Sequence, residues 1–277
     1  MKIYHDLLND VLQNGTPVSD RTGVGTLSVF GRQVRHDLAT GFPLLTTKKL
    51  HTRSIIAELL WFLQGSRNVN PLKAQGVSIW NEWAAENGDL GPIYGAQWRF
   101  WKCSDGSHID QLQKLMDGLK NRPHSRRHLF HAWNVEFLPD ESKSPKQNVL
   151  EGKMALPPCH LLYQFYIQNN RLSCLLYLRS NDLFLGHGYN LASVSFLTHM
   201  IAQQLHLIPG EVILSIGDLH LYQNHIEQAK IQLSRETRFL PRLCFKRCPP
   251  SLFDYQLDDF IIEGYDPHPH IAAPIAI

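Results

Sequence analysis

Two β-rich runs, His160 to Gln168 and Arg171 to Ser180, are separated only by Asn169-Asn170. Asparagine tolerates the positive φ that a tight two-residue turn demands, so this stretch predicts an antiparallel hairpin. A hairpin alone is marginal in water, and these runs are apolar enough to need further strands and a covering layer. Leu27 to Asp37 and Glu211 to Ile216 read as strands. Tyr4, Leu7, Leu8, Val11 and Leu12 recur at helical spacing up to Asn14-Gly15. Thr52 to Gln64 is an apolar helix with Glu58 embedded in it, stopped by Gly65. Ile109 to Leu119 is amphipathic, with Ser107 placed to cap it. Leu191 to Leu207 predicts a long buried helix ended by Pro209-Gly210, and Tyr222 to Leu233 predicts another helix. Strands and helices alternate without a βαβ rhythm. The expected fold class is therefore α+β: one domain, 1–277, with a large mixed β-sheet packed by helices. The polar stretch 139–153 reads as a surface insertion within it.

Several function classes drop out on composition. Hydrophobic residues make up 43%, too many for a disordered chain. With 27 basic against 25 acidic residues, the net charge of +2 argues against a dedicated nucleic-acid partner. Five cysteines, at 103, 159, 174, 244 and 248, form no even disulfide set and point to a reducing compartment. Acids begin at Asp6, and no apolar run reaches the roughly 20 residues of a membrane span. The expectation is a cytoplasmic protein with no membrane partner. Cys244 and Cys248 lack a matching histidine pair, so no metal is expected.

Cys159 follows Pro157-Pro158, which fix extended backbone at the start of a strand. It reads either as an inert thiol or as a nucleophile whose thiolate a nearby cation would favour. His160 adjoins it in sequence, but consecutive strand side chains face opposite ways. Arg126-Arg127, Arg179-Ser180 and Arg21 lie at element ends or in loops. Singly they fit solvated surface; together they supply the guanidinium forks and hydroxyl that a phosphate dianion attracts. Asn190, in the run Asn181 to Asn190, offers a donor and an acceptor for a base edge, or is a helix N-cap. His220 and Tyr222, spaced by two, suit sugar hydroxyls or a core edge. Trp80-Asn81-Glu82-Trp83 and Tyr94 to Trp98 offer aromatic faces for a flat heterocycle, or core packing.

In order along the chain, these pieces resemble the folate-dependent thymidylate synthase family. The matching runs are Asp20-Arg-Thr-Gly-Val-Gly-Thr26, Glu58-Leu-Leu-Trp-Phe-Leu-Gln-Gly65, Glu86-Asn-Gly-Asp-Leu-Gly-Pro-Ile-Tyr-Gly95, Ser125-Arg-Arg127, Ala132-Trp-Asn-Val135, Pro157-Pro-Cys-His160, Arg179-Ser-Asn-Asp182, Gly217-Asp-Leu-His-Leu-Tyr222 and Glu263-Gly-Tyr-Asp-Pro-His-Pro269. The resemblance implies methylation of dUMP at C5 to dTMP, with 5,10-methylenetetrahydrofolate as co-substrate. It implies Cys159 as the nucleophile, its pKa held down by arginine, with Glu58 and Tyr94 organising water and proton transfer. Arg21, Arg179 and Ser180 would hold the phosphate. Arg126 and Arg127 would reach into the partner's site of a symmetric, sheet-mediated homodimer. Asn190 would read the uracil edge, with Asn181 beside it, and His220 and Tyr222 would contact the deoxyribose. Asp182 would bind the pterin, and His51, Trp80 and Ala276 would contact the folate. The apolar tail Ala272 to Ile277 would close over the site.

Three departures from the family pattern stand out. Leu178 replaces a glutamine, which predicts a missing polar contact near the nucleotide. Asn81 replaces an aspartate between the tryptophans. His187-Gly188-Tyr189 replaces an apolar–Pro–Phe segment, and Gly188 is expected to loosen the backbone. A related deoxycytidylate hydroxymethylase is the rival reading. Cytosine recognition is better served by aspartate, so Asn190 speaks for uracil.

Overall fold

The computed structural model describes residues 2–20 and 22–275. Arg21 and Ala276 therefore lie outside the described residues, as does the end of the expected closing tail. The described helices are α1 (Lys2–Asn14), α2 (Thr52–Leu63), α3 (Asn70–Lys73), α4 (Tyr94–Arg99), α5 (Gln111–Asn121), α6 (Pro145–Leu150), α7 (His187–Gln204) and α8 (Ile226–Leu233). The strands are β1 (Thr16–Val18), β2 (Thr26–Asp37), β3 (Trp101–Lys102), β4 (His108–Ile109), β5 (Leu129–His131), β6 (His160–Gln168), β7 (Arg171–Asp182), β8 (Ile208–Tyr222), β9 (Arg242–Phe245) and β10 (Phe260–Glu263).

Six strands form one sheet in the order β1-β2-β8-β7-β6-β5. β7 and β8 run parallel and their other neighbours antiparallel, so the sheet is mixed and the α+β expectation holds. The β6–β7 hairpin turns on Asn169 (φ +50°) and Asn170 (φ +59°), the left-handed pair that asparagine accommodates. One face of β7 is a buried row of Leu172, Cys174, Leu176 and Leu178; Val212, Leu214 and Ile216 continue it on β8. α7 covers this face with Leu191, Val194, Phe196, Leu197 and Met200, all 1% exposed or less. Each such side chain contributes roughly 1.5–3 kcal/mol by leaving water. α1 adds Tyr4, Leu7, Leu8 and Val11, and Tyr4 Oη donates to Leu183 O at 3.1 Å, tying the helix to the turn after β7.

The structure corrects two sequence expectations, the cap of α5 and the place of Pro209-Gly210. α5 is capped by Asp110, whose carboxylate accepts from Gln113 N, while Ser107 Oγ donates to Asp105. Pro209-Gly210 belong to β8, which extends from Ile208 to Tyr222. Pro209 pairs only with Leu172 of β7, and β2 joins from Glu211 onward, so the missing N–H costs no ladder bond on that side. The 139–153 stretch contains α6, capped by Ser144, and nearly buried Asn148 anchors it by accepting from Asp140 N and donating to Asp140 O. Gly65 stops α2 as expected: its φ is +68° and its N–H donates to Phe62 O.

Candidate active site

The C-terminal ends of β7 and β8, the start of β6, and the helices α2, α4 and α7 converge on one region. Two prolines hold the chain extended before β6, and Cys159 sits half-buried at that entry. Its N–H donates to Tyr94 Oη at 2.9 Å. From the neighbouring strand, Arg179 donates through Nε to Pro158 O (2.8 Å) and through Nη2 to Pro157 O (3.0 Å). The same Nη2 lies 3.5 Å from Cys159 Sγ. The proline carbonyls thus hold the guanidinium against the sulfur.

Burial nevertheless raises the Cys159 pKa above its ordinary value. Arg179 and then Tyr94 pull it down, and burial outweighs both. This corrects the expectation of a thiol pKa held down by the neighbouring arginine. His160 is not its base either. Its ring stacks on Tyr94 at 4.2 Å, with Nδ1 2.9 Å from Tyr163 Oη, and burial lowers its pKa to about 3.

Tyr94 opens α4 at φ +22°, a strained value for a residue with a side chain. Gly95 makes that placement possible: a Cβ there would meet Phe62 O at 2.5 Å, so α4 presses directly on α2. On α2, Glu58 accepts from Trp80 Nε1 at 2.7 Å. Burial raises the Glu58 pKa to about 7, against the opposing Trp80 bond. Trp80 meets Tyr94 edge-on at 5.7 Å, and the Asn81 Oδ1 beside it is shielded from water with no partner among the described residues. An unpaired buried acceptor is costly unless a donor arrives.

Beyond Arg179, β7 presents Ser180, Asn181 and Asp182 in parallel register with Asp218, Leu219 and His220 of β8. The Gly217 to Tyr222 run is thus the last part of β8, and Asp218 and His220 share a face. Ser28 Oγ donates to Asp218, and His220 Nδ1 lies 3.6 Å from it. Burial lowers the His220 pKa, but Asp218 outweighs it and the net shift is upward. Tyr222 meets the His220 ring edge-on at 5.4 Å. Asp182 Oδ1 accepts from Phe184 N and Leu185 N, fixing the turn into α7. α7 starts at His187, four residues before the expected Leu191, and Gly186 occupies the N-cap position. Asn190 therefore lies inside the helix and its amide is not a cap; Nδ2 donates to Asn181 Oδ1 at 3.4 Å. His51 bonds Ser54 Oγ through Nδ1 at 2.6 Å, and its N–H donates to Tyr189 Oη.

Two of the departures also read differently in three dimensions. Leu178 is fully buried in the apolar row under α7, so leucine there serves packing. Gly188 does not loosen α7. A Cβ there would lie 2.7 Å from Leu45 Cδ1 and 3.2 Å from Leu50 Cδ1, so glycine lets the helix seat on them. Arg126 and Arg127 are exposed, away from Cys159's cluster in sequence, between α5 and β5, and their guanidiniums bond nothing among the described residues. Sequence reasoning missed the arginine-holding carbonyls of Pro157 and Pro158, the stacking of His160 and the role of Asp218. Only Asp218 left a signal, its spacing of two from His220 on a strand.

A half-buried cysteine in contact with an arginine and a tyrosine, with the raised-pKa carboxyl of Glu58 on the adjoining α2, makes up the candidate nucleophile and proton-transfer site of this α+β fold. The family model for thymidylate synthase matches residues 2–277, and the chain is 56% identical over 277 residues to a thymidylate synthase of Pseudomonas fluorescens (strain SBW25), covering 100% of both chains. The chain belongs to the thymidylate synthase family. Among the described residues no cluster of His, Cys, Asp or Glu is arranged for a metal, and no helix is long and apolar enough to cross a membrane.

Proposed function

We propose that this chain makes dTMP from dUMP, with Cys159 Sγ adding to C6 of the pyrimidine. The observation that carries the reading is the Arg179–Cys159–Tyr94 contact set beside Glu58. Addition at C6 transfers electron density to C5, an otherwise poor nucleophile, so one difficult substitution becomes several easier steps. Arg179 stabilises the thiolate against its burial. Glu58, with a pKa of about 7, can both take and give a proton near neutrality, and Tyr94 is placed to pass one on. 5,10-Methylenetetrahydrofolate supplies the carbon unit and the hydride. The Trp80 ring, the unpaired Asn81 acceptor and the second oxygen of Asp182 suit a pterin with several N–H donors, and His51, the residue that opens α2, is assigned to the folate with them.

Ser180 and Arg179 would take the phosphate, with Arg21 joining them. His220 and Tyr222 would contact the sugar, and Asn190 the base edge. The exposed face of the sheet supports a symmetric homodimer. Tyr166 is 54%, Tyr177 37% and Ile208 54% exposed there, an unusual set of apolar side chains to leave in water. The free guanidiniums of Arg126 and Arg127 fit a role in the partner's site. The family finding does not favour the deoxycytidylate rival. With C5-tritiated dUMP and the reduced folate, the protein should release tritium and form dTMP, and Cys159→Ser should do neither. Release from dCMP in place of dUMP would overturn the assignment.

A further inference from the structure

His187 is fully buried at the start of α7. Its Nδ1 lies 2.8 Å from Asn181 Nδ2, and its Nε2 has no partner among the described residues. Asn181 is itself 1% exposed, and its Oδ1 accepts from Asn190 Nδ2. The three side chains form a line from the core to Asn190. Burial lowers the His187 pKa to about 3, so the ring is neutral and one nitrogen accepts. In the observed arrangement that acceptor is Nδ1. The ring thereby orients the Asn181 amide, and Asn181 orients the Asn190 amide.

Orientation matters because a primary amide pairs with either pyrimidine edge depending on its flip. Uracil presents the O4 acceptor beside the N3–H donor, and cytosine presents the reverse. Turning Asn190 to suit cytosine would set its Oδ1 against Asn181 Oδ1. Relieving that clash requires Asn181 to turn, and His187 to move its ring proton.

We propose that His187, acting through Asn181, is a positioning residue that fixes the Asn190 amide and so selects a 4-carbonyl pyrimidine over a 4-amino one. The proposal rests on the reading that Asn190 faces the base.

Titration calorimetry of dUMP and dCMP binding tests it without turnover. In His187→Leu, which suits the apolar pocket, the preference for dUMP should fall about tenfold, the worth of one hydrogen bond. Asn181→Leu breaks the line at its other joint and should do the same if His187→Leu does not fold. His187→Asn keeps an acceptor near the Nδ1 position and should retain most of the preference. An unchanged dUMP-to-dCMP ratio in either severed variant, with a cooperative melt, overturns the proposal. Asn190→Asp separates the two failures. If it also leaves the ratio unchanged, the base-reading role of Asn190 has failed; if it shifts the ratio while the severed variants do not, only the relay has.

Discussion

Replacing Trp80 by phenylalanine should move the pH dependence of the enzyme in a calculable direction. The indole Nε1 donates the hydrogen bond given for Glu58, 2.7 Å to Oε1, and favours the ionised form. Burial pushes the other way and prevails, leaving the pKa at about 7. A hydrogen bond to a charged group contributes roughly 1.5–3 kcal/mol, and one pKa unit is about 1.4 kcal/mol. Removing the donor should therefore raise the Glu58 pKa by roughly one to two units, toward 8 or 9. At pH 7 the ionised fraction would fall from about half to about a tenth or less, a loss of roughly five- to fiftyfold wherever the carboxylate is needed. The assay is kcat/KM for tritium release from pH 5.5 to 9.5, which reports ionisations of the free enzyme. The rising limb should shift alkaline, and the rate should recover as pH increases. Because Trp80 is also assigned to the folate, the cofactor KM can rise as well, but that change is independent of pH. A uniform loss with an unmoved limb would show that the indole does not control Glu58.

The same residue yields a stability prediction of opposite sense. The folded pKa of Glu58 lies above its ordinary 4.5, so ionisation penalises the native state; the penalty builds from about pH 4.5 and is complete above about pH 7. Glu58→Gln should thus raise stability by up to ~3 kcal/mol in denaturant titrations at pH 8 and far less at pH 5, and an equal gain at both would refute the burial argument. Leu178→Gln buries an unmatched amide in the row under α7 and should cost about 1–3 kcal/mol; an unchanged melting temperature would mean that the amide finds a partner. Asn170→Ala keeps φ near +59° but removes the polar side chain that makes this left-handed conformation tolerable, and should cost about 1 kcal/mol, measurable in the same denaturant series.

Features governed by neighbours in sequence were the most legible. The Asn169-Asn170 turn, α2 and its Gly65 stop depend on local φ preferences and apolar spacing, and the structure agrees with them. Where tertiary contact decides, sequence reading failed. Pro209 looked like a helix terminator, yet it is the second residue of β8, where only β7 pairs beside it and its missing N–H is tolerated. The first turn of α7, His187-Gly188-Tyr189-Asn190, carries weak helical signals and is held by the seat that Leu45 and Leu50 provide for Gly188. Ser107 lost the capping position to Asp110 because its hydroxyl already serves Asp105. In the site, motif residues such as Cys159, Glu58 and Tyr94 were visible as chemical types. The balance of burial against Arg179 at the thiol was not, since it depends on groups brought from separate strands. Leu178 shows the same limit: its family position suggested a nucleotide contact, and its place in the sheet makes it core.

Covalent capture at Cys159 tests the central claim most directly. The protein would be incubated with 5-fluoro-dUMP and 5,10-methylenetetrahydrofolate, denatured, and its intact and peptide masses measured. Fluorine at C5 cannot leave as a proton does, so the sulfur–C6 bond should survive denaturation. The account predicts one nucleotide and one folate per chain on the peptide carrying Cys159, and no adduct in Cys159→Ser. An unmodified wild-type chain, or an adduct on Cys103, Cys174, Cys244 or Cys248, would contradict it.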